Sequence, residues 1–202
     1  MHIIVVYITR PLSSIRIVEL FDPDSRPYGL SYEEHIIKDW KQNLSTPIDK
    51  SPMEDKTGER TFYGSDPNSP LVYLSRNSGG STERNCKVRS GVGCFISVGD
   101  AVYSEGEKPG STVEQLQALP IQDQDNATDV FLKIDDQEFN FEDLNKYRFH
   151  TGEFDVEFPQ NALFGARPGH SKAAADGYYV ITKPLSPGKH TIITKMTVSE
   201  PP

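Results

Sequence analysis

The sequence predicts a mainly β chain: an antiparallel β-sandwich of jelly-roll-like or immunoglobulin-like kind, with one packed N-terminal helix and a second short helix. Apolar residues in the second half recur at every other position, the strand period, as in Phe154, Val156 and Phe158 with charges between them. Fifteen glycines and fifteen prolines suit many short strands and turns better than a helical bundle. Helical spacing behind a capping box is read at two places. Hydrophobic content is low at 36%, yet ten Phe and nine Tyr can supply a core, and 202 residues form one domain by default. The predicted division is an N-terminal segment, 1–30, followed by a single sandwich domain, 31–202.

The run His2-Ile3-Ile4-Val5-Val6-Tyr7-Ile8 falls short of the roughly 18 apolar residues of a membrane helix. It has no convincing basic n-region or small-residue cleavage site. Two readings stand for it, an edge strand or the remnant of a signal region. After the polar stretch Asp22 to Pro27, Ser31 and Glu34 form a capping box. Tyr32, Ile36, Ile37, Trp40 and Leu44 then make one apolar stripe at helical spacing, ended by Pro47, with Trp40 as the anchor on the sheet.

From Ser45 to Asn68 the chain reads as loop, with a short strand at Thr61-Phe62-Tyr63. Pro70 to Leu74 is a strand, and Asn77 to Thr82 a Ser/Gly loop. Cys86–Val88 and Cys94–Val98 make a candidate hairpin, extended by Ala101 to Tyr103. Ser111 with Glu114 opens the second helix, which runs to Pro120. The acidic loop Gln122 to Asp129 leads into strand Val130–Ile134, and Asp135-Asp136 turns the chain into Glu138 to Phe141. Strands at Lys146–His150 and Glu153–Phe158 follow, then the loop Arg167 to His170.

The C-terminal stretch Asp176–Thr197 reads as a closing hairpin. Tyr178 to Ile181 is a β-branched and aromatic run, Pro184, Pro187 and Gly188 set a turn, and His190, Ile192, Thr194 and Met196 share one face of the second strand.

This stretch, DGYYVITKPLSPGKHTI, resembles the C-terminal signature of a group of uncharacterised, mostly exported bacterial and archaeal proteins. Tyr28-Gly29-Leu30-Ser31-Tyr32 through Trp40 resembles that group's N-terminal helix, and Tyr147-Arg148, Phe154 and Phe158-Pro159-Gln160-Asn161 resemble its central strands. The likeness spans roughly Tyr28 to Ile193 and is specific in the final hairpin. It implies export and a β-sandwich, and no particular activity. The group usually carries a cysteine shortly after the Thr57-Gly58 position, where this chain has Arg60-Thr61.

A net charge of −8 and the lack of a basic cluster exclude a nucleic-acid surface, which needs concentrated positive charge. Cys86 and Cys94 flank Arg89 to Gly93 and are either a disulfide across a hairpin or two buried thiols. His150, His170 and His190 are candidate zinc or copper ligands, with Glu153, Asp155 or Asp176 completing a site. Asp123, Asp125 and Asp129 offer oxygens for calcium on an irregular loop that lacks the EF-hand's glycine and glutamate positions.

No GxSxG elbow or phosphate-binding loop occurs, and Gly169-His170-Ser171 lacks the strand-turn-helix setting of a nucleophile elbow. Asp135, Asp136, Glu138, Asp155 and Glu157 are carboxylates that sequence alone cannot pair across a cleft. Carbohydrate contact would draw on Tyr28, Tyr63, Tyr103 or Tyr178. The sequons at Asn43 and Asn126 are compatible with export. The expectation is therefore an extracellular or cell-surface β-sandwich, a binding or structural module with a glycan or protein partner. A polysaccharide-acting or metal-dependent enzyme on the same scaffold is the alternative, and a subunit of a surface assembly the third.

Overall fold

Two five-stranded sheets and three helices make a mainly β chain in the computed structural model, which describes residues 2–8, 17–60, 66, 68–74 and 76–199. The expected strand Thr61-Phe62-Tyr63 lies outside them. The elements run β1 (His2–Ile8), α1 (Tyr32–Leu44), β2 (Leu71–Leu74), β3 (Thr82–Lys87), β4 (Gly93–Ser104), α2 (Val113–Asp125) and β5 (Ala127–Ile134). Then follow β6 (Gln137–Phe139), α3 (Phe141–Asn145), β7 (Arg148–His150), β8 (Phe154–Phe158), β9 (Gly169–Ile181) and β10 (Gly188–Val198). The first sheet has the order β3-β1-β10-β5-β6; the second has β2-β4-β9-β7, with β8 also pairing β9.

The arrangement is consistent with a β-sandwich. Ile4, Val6, Leu132, Ile134 and Ile192 of the first sheet share one buried cluster with Cys94, Ile96, Tyr178 and Val180 of the second. The sheets approach so closely at β4 and β10 that a β-carbon on Gly99 would lie 2.4 Å from Met196 Sδ. A glycine here is a condition of the packing, since real side chains never come that near.

Helix α1 covers the second sheet and forms where its capping box and stripe place it. Ser31 Oγ accepts from Glu34 N at 3.2 Å, and Glu34 accepts from Ser31 N at 2.6 Å. Tyr32, Ile36, Trp40 and Leu44 are buried. Trp40 Nε1 donates to the Tyr179 hydroxyl at 3.3 Å, and Tyr32 stacks on Phe149 at 4.7 Å. The Tyr32 hydroxyl joins helix to strand, accepting from Ile181 N and donating to Phe21 O. Helix α2 lies against β4 and β9.

Several expectations are corrected. The pairing is not antiparallel throughout, because β1–β3 and β2–β4 are parallel, each joined through a long excursion as parallel neighbours must be. Cys86–Val88 and Cys94–Val98 do not form a hairpin: β3 pairs β1, β4 pairs β2 and β9, and the Arg89 to Val92 turn crosses between sheets. The C-terminal stretch is not a hairpin either. Strand β9 pairs β4, β7 and β8, whereas β10 pairs β1 and β5. Pro184 and Pro187 have no N–H to give a ladder, so residues 182–187 carry the chain from one sheet to the other.

Helix α2 is capped by Thr112 and Gln115, not by Ser111 and Glu114, and it runs through Pro120 to Asp125. It loses one backbone hydrogen bond at the proline. Glu138 to Phe141 is not one strand, because the Asn140 side chain caps the unexpected helix α3.

Candidate functional site

Two β-bulges face each other across the sheets. One lies between Ser97 and Gly99 in β4, the other between Lys195 and Thr197 in β10. A bulge bends its strand and re-aims side chains, which is why bulges gather beside functional sites. Between these two opens a crevice of about 440 Å³, within the range of small-molecule sites. Its walls come from Ser97 to Tyr103, Thr194 to Met196, the loop Asn77 to Gly80, and single residues that include Trp40, Glu107, Asp123 and Phe164.

The floor is a buried ionic network. Arg76 follows β2, and its side chain is 6% exposed. It pairs with Asp39 of α1, whose other oxygen accepts from Asn43 Nδ2 at 3.0 Å. Its Nη1 lies 2.7 Å from Asp100 Oδ2, in a poor line for hydrogen bonding. The guanidinium stacks over the Trp40 ring, with the central carbon 4.1 Å from its centroid. Arg76 Nε is buried with no hydrogen-bond partner among the described residues, whereas Asp100 has the Ser97 and Tyr179 hydroxyls beside it as well as Arg76.

Burial pushes the Asp100 carboxyl above its usual range, while Arg76, then Ser97 and Tyr179, pull it down. Burial, and next the Asp100 carboxylate, push the Tyr179 hydroxyl far up. Higher on the wall, burial raises Glu107, whose Oε2 accepts from Ser104 Oγ at 2.7 Å. The Tyr103 hydroxyl donates to Asp123 at 2.8 Å, and burial raises it to about 12.

Two features fix the floor in place. Asp100 pairs with Gly177 across β4 and β9, and only glycine leaves its main chain room. Arg84 of β3 is 1% exposed and donates to the carbonyls of Met53 at 2.7 Å, Arg76 at 2.9 Å and Asp55. It therefore ties the chain at Arg76 to the turn before it. On the rim, Phe164 has φ of 58° and is 42% exposed. A bulky residue in the left-handed region is a rare, strained choice, and such strain collects at functional sites.

The residues expected to hold metal are dispersed. His150 is on β7, His170 on β9 and His190 on β10, and no group of three His, Cys, Asp or Glu side chains suited to a metal occurs among the described residues. His170 lies 3.2 Å from Asp155, which also pairs with Lys172, all on the exposed β8–β9 edge. Glu153 pairs with Lys172 as well, and Asp176 pairs with Arg148.

The expected calcium loop is the end of α2 and the start of β5. Asp123 accepts from Tyr103, Asp125 pairs with Arg148, and Asp129 pairs with Lys195. Cys86 and Cys94 are buried thiols with no disulfide between them, and burial pushes Cys94 up to about 12. The sequon at Asn43 has its amide buried against Asp39, and Asn126 caps α2 and donates to Gln122 O. Of the tyrosines named for glycan contact, Tyr103 lines the crevice, Tyr28 is half-buried, Tyr178 is buried, and Tyr63 lies outside the described residues.

One arrangement looks like a triad. His190 Nδ1 is 2.6 Å from Asp135 Oδ2, and Nε2 is 3.3 Å from Ser186 Oγ. Yet Nε2 is nearer the Ser186 carbonyl, at 2.7 Å. A general base needs a free lone pair toward its serine, and here that nitrogen is turned to an acceptor. The adjoining hollow is about 60 Å³, too small for a substrate. His190 is thus a clip that fastens the sheet-crossing linker to the β5–β6 turn. Glu138 pairs with Lys133 in the same hairpin, so Asp135 and Glu138 are both engaged away from the crevice.

Sequence reasoning missed Asp39, Arg76 and Asp100. Signals existed: Asp39 falls three positions after Ile36, on the apolar stripe, and Asp100 follows a glycine inside a strand. Comparison of the chain with protein-family models, with curated proteins and with solved structures finds no match to any of them.

Proposed function

We propose that the protein is a binding module, exported or surface-associated, that takes a small polar ligand in the crevice between its sheets. One observation carries the reading: a crevice of about 440 Å³ between the sheets combines the Arg76, Asp100 and Glu107 side chains with an apolar wall of Val98, Val102 and Met196. Small-molecule sites are of this size and set a few placed polar groups in a largely apolar lining. Polysaccharide cleavage needs two carboxylates free to act on the substrate; of those lining the crevice, Asp100 is ion-paired with Arg76, Asp123 accepts from Tyr103 and Glu107 accepts from Ser104, which favours binding. Export rests on the family resemblance of residues 176–193, and within the sandwich class a jelly-roll-like or immunoglobulin-like kinship belongs to the same proposal.

The test is a thermal-shift screen of small polar metabolites on the full chain and on Ser97→Leu, which fills the floor. Compounds that raise the Tm of the wild type and not of Ser97→Leu are expected. A screen without one overturns the binding reading. Fractionation of native cells tests export separately, and a purely cytoplasmic protein would refute it.

A further inference from the structure

We infer that the crevice takes a small organic amine in its cationic form, an inference that rests on the binding reading above. Its wall carries two carboxylates that no cation answers. Glu107 accepts from Ser104 Oγ through Oε2 at 2.7 Å, and Asp123 accepts from the Tyr103 hydroxyl through Oδ2 at 2.8 Å. Glu107 Oε1 and Asp123 Oδ1 are left with no hydrogen-bond partner among the described residues. Both residues are half-buried and line the crevice, and neither oxygen is sealed from solvent, in contrast to Arg76 Nε and Ser97 Oγ below them. A carboxylate oxygen only accepts, so the groups that answer this pair are donors, and a protonated amine brings several on one atom.

The surrounding charge points the same way. Arg76 is answered by Asp39 and Asp100, and Lys195 by Asp129. Lys108 lies over the Tyr103 ring, 5.7 Å from its centroid, and forms an ion pair with neither carboxylate. Asp123 also stands in the last turn of α2, which holds no basic residue and where the helix's own partial charge is negative. A cation there serves the helix end as well as the side chain. Burial disfavours the charged form of Glu107, a cost that a neighbouring cation offsets. The field repels an anion, and no group of three side chains suited to a metal occurs among the described residues. An aromatic face completes the setting. Arg167 N donates to Gly106 O at 3.0 Å, which ties the segment of Phe164 to the turn that carries Glu107. Phe164 lines the crevice and is 42% exposed, so its ring is open to a cation. Val98, Val102 and Met196 suit the hydrocarbon part of the amine.

Amide chemical-shift mapping and calorimetry on the full chain test this. The probes are butylamine, putrescine and phenethylamine, with the uncharged phenethyl alcohol and the anionic hydrocinnamate matched to the last. At least one amine should move the amides of Tyr103, Glu107, Asp123 and Phe164, and phenethylamine should bind there more tightly than the alcohol or the acid. Glu107→Gln and Asp123→Asn can still accept from Ser104 and Tyr103 but lose the charge, and each should weaken the amine about tenfold. Asp136→Asn removes an exposed charge on the β5–β6 turn and should leave the affinity unchanged. An equal loss in that variant would reduce the effect to net charge and overturn the inference. Tighter binding of the alcohol or the acid at these amides overturns the ligand class and leaves the binding reading standing. No movement with any amine also overturns the class, and the metabolite screen above then decides whether the binding reading falls with it.

Discussion

Gly177 lies against Asp100 so closely that a β-carbon on it would fall 2.4 Å from Asp100 Cβ and 2.7 Å from Asp100 Cα. The clash is with main chain, which cannot swing aside. Gly177→Ala should therefore lower stability by about 2 kcal/mol, the range of overpacked cores, and displace the Asp100 carboxylate. Chemical denaturation measures the first effect. Weakened binding of any crevice ligand, beyond that of an equally destabilised variant elsewhere, measures the second.

The two carboxylates on Arg76 are not equivalent. Asp39 is hydrogen-bonded to both Arg76 and Asn43, whereas Asp100 is close to Arg76 but poorly aligned and driven toward its neutral form by burial. Asp39→Asn should cost about 3 kcal/mol, as when a buried pair is broken, and Asp100→Asn about 1 kcal/mol. Equal losses in urea denaturation would show that the network is shared evenly, against the geometry.

His35 gives the fold a pH dependence of predictable sign. Its Nε2 donates to Pro27 O and its Nδ1 accepts from the Tyr73 hydroxyl, both at 2.8 Å, which suits a neutral ring. Burial lowers its pKa from 6.5, while the Pro27 contact works the other way. The unfolded chain takes up its proton near 6.5 and the folded chain only lower, so this stability is full above 6.5 and is lost as pH falls through the folded value. Melting curves from pH 7 to 5 should show the decline, and His35→Gln should flatten it.

The clip on the linker predicts graded losses. Asp135 has φ of 54°, accepts from Thr191 N at 2.9 Å and holds His190. Asn tolerates this backbone and keeps the Thr191 contact, so Asp135→Asn should cost about 1 kcal/mol. Asp135→Ala loses both contacts and should cost about 2 kcal/mol or more. If Asp135→Asn melts with the wild type, His190 does not clip the linker.

Cys86 and Cys94 should react with Ellman's reagent only as fast as the protein unfolds, since both are buried and the Cys94 thiolate is strongly disfavoured. Rapid labelling of native protein would contradict their placement.

Local signals made some of this legible. The Ser31–Glu34 box and the stripe from Tyr32 to Leu44 located α1, because capping and amphipathic period are written within one helix. The Tyr178–Ile181 and His190–Met196 strands were equally visible, but their partners were not. Alternation marks a strand and says nothing about which edge it joins, and so the two were misread as neighbours. The crevice was illegible for a related reason. Arg76 stands beside a Ser/Gly loop that carries no sign of burial, and Asp39, although on the apolar stripe, has its partner Arg76 in a distant part of the chain that no local pattern identifies. The histidines were conspicuous by type, yet three different strands set them apart.

The place of β10 between β1 and β5 has a consequence for how the protein is made. Strand β1 must wait for Gly188–Val198 to be translated before it gains its antiparallel neighbour. Until then its sheet lacks a middle, and the unpaired backbone of β1 invites association with other nascent copies. Shielding of that early segment, by a chaperone or by rapid elongation, would decide the yield of native protein.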